Sequence, residues 1–69
     1  MKNIKQPKIQ EDLNYEFDLA KTFFTIGLES LQNNQLEDAE KNFRSALALL
    51  PNRVSTLNNL AVTLIKKIS

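Results

Sequence analysis

The side chains that carry most enzyme chemistry are missing from this chain of 69 residues: there is no histidine, no cysteine, no tryptophan and a single glycine. A nucleophilic pair needs an imidazole or thiolate, structural zinc draws on the same residues, and a phosphate cradle needs glycine-rich turns. Three small groupings remain. Glu37, Asp38 and Glu40 carry the donors for a metal ion or an acid–base pair, but at a helix start they read as a solvated face whose charge suits the positive end of the helix dipole. Lys2, Lys5 and Lys8 form a basic end without interleaved aromatics, which suits a solubilising tail better than a nucleic-acid grip. Asn59, in the run Asn58-Asn59-Leu60-Ala61, offers an amide that can both donate to and accept from a peptide bond. No catalytic residue, cofactor or metal is expected, and no enzyme activity of the chain's own.

Composition narrows the partners. Nine basic and eight acidic residues leave a net charge of +1, too little field to steer the chain to nucleic acid or to a membrane surface. No apolar run approaches the roughly 20 residues needed to cross a bilayer, and Met1 to Gln10 has no secretion-signal core, so a cytoplasmic setting is expected. A folded domain of this size buries only about 60% of its unfolded surface. With no cysteine to form a staple, its stability alone should be marginal.

Three helices must position these groups. Residues 1–10 read as a flexible basic tail. A first helix is predicted over about 14–33, with Asp12 or Asn14 as its N-cap and Glu16 and Asp18 near its first turn. Phe17, Ala20, Phe24, Leu28 and Leu31 step along one face, with Leu13 leading into it, while Phe23, Ile26 and Gly27 occupy the adjoining one. Gly27 costs about 1 kcal/mol against alanine inside a helix, which argues for close packing there. The polar run Gln32–Gln35 makes a tight turn, and a second helix follows from Leu36 to Leu50. Its inner face is Leu36, Ala39, Phe43, Ala46, Leu47 and Leu50, and its outer face pairs Glu37 with Lys41 and Glu40 with Arg44. Pro51 ends that helix. A third helix opens near Arg53 or Ser55, with Leu57, Leu60, Ala61, Leu64 and Ile68 on one stripe, Val62 and Ile65 off it, and Lys66 and Lys67 complementing its negative end.

The positions Phe23, Ile26, Gly27, Leu36, Ala39, Phe43, Ala46 and Pro51 fall at the intervals of one tetratricopeptide repeat (TPR), a helical hairpin of about 34 residues, and the chain resembles that family over residues 20–53. Two positions depart from the pattern: Ser30 stands where a bulky tyrosine-like residue is usual, and Asn34 replaces the turn glycine. Asparagine is the next-best residue for the left-handed conformation that ends a helix. Counting on by the same period, Leu57, Leu60, Ala61 and Leu64 match the first helix of a second, incomplete repeat over residues 54–69. The expected fold is therefore all-α, a TPR-type antiparallel hairpin over 11–53 plus a third helix.

The resemblance implies a scaffold for binding protein or peptide. Phe24, Leu28 and Leu31 stand where such arrays line a concave groove, and Asn59, Val62 and Ile65 stand on the matching side of the third helix; the plainer reading is that another segment or a second copy covers the first three. Asn59 matches an asparagine that related arrays use to hold a peptide backbone. The basic-then-Asn pair by which some members grip acidic C-terminal tails is replaced here by Phe24 and Leu28. Stacked repeats need about three units for stability, so the leading expectation is an interaction module that self-associates through uncovered helix faces. The alternative is an N-terminal, substrate-recruiting piece of a larger enzyme such as a glycosyltransferase or methyltransferase.

Overall fold

The computed structural model describes the backbone of residues 8–69 and the side chains of residues 15–69. Helix α1 runs Lys8–Gln32, α2 runs Leu36–Leu49 and α3 runs Val54–Ile68, and there is no strand among the described residues. The fold is all-α. The start of α1 differs from the sequence expectation, because Lys8 to Gln10 and both candidate caps, Asp12 and Asn14, lie within the helix. No glycine or proline interrupts the segment after Pro7, and Gln10, Glu11, Leu13 and Glu16 favour helix, so nothing stops it from extending. Residues 1–7 of the expected tail lie outside the described residues.

The turn between α1 and α2 closes as its asparagines suggest. Asn34 adopts φ 61°, the left-handed region. The Gln35 N–H donates to the Ser30 carbonyl at 2.8 Å and the Asn34 N–H to the Leu31 carbonyl at 3.0 Å, the paired bonds of a Schellman closure, which satisfy two carbonyls that a helix end would otherwise orphan. So short a connection forces α1 and α2 antiparallel. Phe43 lies against the Gly27 backbone, and the Phe24 and Phe43 rings sit 5.8 Å apart, tilted by 51°, within the range of favourable aromatic pairs.

Ala39, Phe43 and Leu60 form the buried centre, with Phe24, Leu28, Leu31, Leu47 and Leu64 packed around it. Ala39 and Ala46, both fully buried on α2, let the helices approach on either side of the Phe43 ring. Ser30 is buried as well, its small side chain accommodated where the helices converge on the turn. Ile26 departs from expectation at 40% exposed: α1 turns Gly27 to α2, and the neighbouring position, about 100° further round the helix, faces outward. Phe23 and Leu36 are half-buried and Pro51 is exposed in its turn.

Leu50, directly before Pro51, is extended at φ −133° and ψ 85°, as the proline ring requires of its predecessor. The chain then reverses into α3, whose inward seam is Thr56, Leu60 and Thr63. This corrects the expected stripe, since Leu57 and Ile68 are exposed and Ala61 is too. Threonine can line such a seam because its hydroxyl bonds back to its own helix: Thr63 donates to the Asn59 carbonyl at 2.8 Å and is completely buried.

Candidate functional site

Phe24, Leu28 and Leu31 are half-buried against the Ala39–Phe43–Leu60 centre. They form a wall of the core, with α2 and α3 as the elements that cover them. Val62 and Ile65, by contrast, are 46% and 60% exposed. Asn59 lies between these extremes, half-buried, and its amide nitrogen donates to the Ser55 carbonyl at 2.9 Å while its backbone carbonyl accepts from Thr63. An amide engaged with its own helix has one hydrogen fewer to offer a peptide.

The exposed apolar surface is concentrated on α3. Val54, Leu57, Ile65 and Ile68 are all large, aliphatic and outward, and with Ala61 they fall at intervals of three and four, one continuous stripe of a helix. No residue of α3 carries a negative charge. A second, smaller apolar exposure sits on α1 at Tyr15 and Phe17, where the Arg53 guanidinium lies 5.2 Å from the centre of the Phe17 ring in a cation–π contact.

Sequence reasoning missed the tie that holds α3 in register. Lys67 Nζ lies 2.7 Å from Glu40 and 3.4 Å from Glu37, and Glu40 also receives the Arg44 guanidinium at 2.8 Å. The expected Glu40–Arg44 pair is present, whereas Glu37 turns to Lys67 and makes no ion pair with Lys41 among the described residues. The signal was legible in retrospect: Lys67 stands four residues beyond Thr63 and seven beyond Leu60, on the seam that faces α2. The Lys67 hydrogen bond, followed by that of Arg44, holds the Glu40 carboxyl below its usual range, and the Glu40 contact, reinforced by Glu37, raises Lys67. Glu37, Asp38, Glu40, Lys41, Arg44 and Lys67 thus line a shallow, charge-balanced surface. Among the described residues no three carboxylates converge to hold a metal ion, and no helix is long and apolar enough to cross a membrane.

No protein-family model, curated protein or solved structure matches the chain.

Proposed function

We propose that this chain is a protein–protein interaction module of TPR type, without catalysis of its own, that associates with a second copy through the outer face of α3. The observation that carries the reading is the uncovered stripe Val54, Leu57, Ala61, Ile65 and Ile68, with Ile68 at 86% and Ile65 at 60% exposed. Support for the repeat assignment comes from the three-residue turn at Asn34, the close seat of Phe43 on Gly27 and the proline-closed end of α2.

The stripe is self-complementary. Its positions are symmetric about Ala61, so an antiparallel second α3 sets Val54 opposite Ile68 of the partner subunit and Leu57 opposite Ile65 of the partner subunit. The small residue then falls at the twofold axis, where helix backbones approach most closely. Four large aliphatic side chains from each copy, at roughly 1–1.5 kcal/mol for the part now exposed, supply about 8–12 kcal/mol. Association costs roughly 4–15 kcal/mol, so the dimer should be concentration-dependent. The setting that goes with this reading is cytoplasmic and the partner is a protein surface, in keeping with a net charge near zero.

Light scattering over a range of concentrations, with helicity followed on the same samples, tests it. The mass should rise toward twice the chain mass of 7.9 kDa. A monomer that stays fully helical and melts cooperatively at high concentration would overturn the proposal.

A further inference from the structure

A narrow cleft of about 20 Å³ opens where all three helices meet, at the end of α2 and the start of α3. Ala20 and Phe24 of α1 and Ala46 and Leu50 of α2 form its apolar walls, Lys21 and Arg53 stand at its rim, and Thr56 closes it. Two independent features point to a ligand. The first is Thr56, 4% exposed, whose hydroxyl has no hydrogen-bond partner among the described residues, in contrast to Thr63 two turns further along the same face. A buried hydroxyl left without a partner is destabilising, so something polar belongs beside it. The second is the bare start of α3: no side chain caps it, and its first turn holds no acid, which leaves the positive helix end uncompensated. No carboxylate lines the cleft.

We propose that this cleft is a carboxylate-binding site, in which one carboxylate oxygen accepts a hydrogen bond from the Thr56 hydroxyl while the Arg53 guanidinium and the Lys21 ammonium hold the charge from the rim. The volume suits a single oxygen of water size, which the tip of an aspartate or glutamate side chain can supply while its second oxygen stays between Arg53 and Lys21 at the rim. The Phe17 ring beneath Arg53 holds the guanidinium at the mouth rather than free in solvent. The site lies at the opposite edge of α3 from the stripe proposed for self-association and works in a monomer or a dimer alike.

The probe is sodium acetate, titrated into the full chain at constant ionic strength against sodium chloride, with the backbone amides of Ser55, Thr56 and Leu57 followed by NMR. Saturable shifts with acetate are expected. Thr56→Val and Arg53→Gln should each weaken them at least about fivefold, while Thr56→Ser, which keeps the hydroxyl, should retain them. Should Thr56→Val lose helicity, Arg53→Gln, at an exposed position, and Thr56→Ser still decide. The same saturable shifts from an amide-capped glutamate would assign the site to an acidic peptide side chain; acetate alone would assign it to free small carboxylates. Absence of saturation in the unaltered chain, an equal response to chloride, or full binding by Arg53→Gln would overturn the proposal, leaving the cleft to a water and the two cations to the negative end of α2.

Discussion

A side-chain carbon on Gly27 would lie 2.6 Å from Cε1 and 2.7 Å from Cδ1 of Phe43, closer than such atoms ever approach. The ring therefore occupies the space that any other residue at position 27 would need, and Phe43 has no room to retreat because it is fully buried. Gly27→Ala gains about 1 kcal/mol of helix propensity and meets roughly 1–3 kcal/mol of overpacking. Urea melts should show net destabilisation, and Phe43→Leu in the same chain should relieve part of it, a coupling that a double-mutant cycle reads directly. Alone, Phe43→Ala should cost about 3–5 kcal/mol and leave so small a chain largely unfolded by circular dichroism.

Asn34 sits at φ 61°, where a β-carbon is crowded and asparagine is tolerated. Asn34→Gly should be neutral or slightly stabilising, and Asn34→Ala should cost about 1 kcal/mol. Equal melting temperatures for the two variants would contradict the Schellman geometry.

The Lys67–Glu40 contact makes stability depend on pH at both ends. Glu40 is lowered from its ordinary 4.5, so its contribution is present above that value and lost as pH falls through the lower folded value. Lys67 is raised from 10.5, so its contribution is present below that value and lost as pH rises through the higher folded one. Thermal melts should weaken at both extremes and hold between them. Lys67→Gln should flatten the alkaline limb and reduce the acid one, in proportion to the salt sensitivity expected of a partly exposed network.

Ile65→Lys places a charge on the outer stripe of α3 without touching the Thr56–Leu60–Thr63 seam. Helicity should persist and the mass should fall toward the monomer. Thr63→Lys, on the buried seam, should instead lose helicity, which separates an interface effect from a folding one.

Much of the fold was legible because its signals are local. The turn follows from Asn33-Asn34, the close packing from a glycine inside a helix, and the inner face of α2 from the spacing of Ala39, Phe43 and Ala46. The rotation of α3 was not legible, since its apolar residues mark the face that solvent sees while threonines mark the one that packs. The Thr63 hydroxyl bonds to its own helix, so that residue behaves as an apolar one in the seam, and no periodicity count gives it that weight. Lys67 escaped for a different reason: its partners stand 27 and 30 residues away, and only the packing of α2 on α3 brings them together.

The threonine seam also sets an order of events. Between α1 and α2 the contact is aromatic and close; between α2 and α3 it is a buried leucine flanked by two threonines, with the half-buried Leu64 beside them and a lysine tie at the far end. The last helix is thus the cheapest to detach, a separate cooperative unit that lifts off while the hairpin remains closed. Its amides should trade hydrogen for deuterium ahead of those in the hairpin, and the stretch Leu50–Arg53 is the hinge about which it would swing.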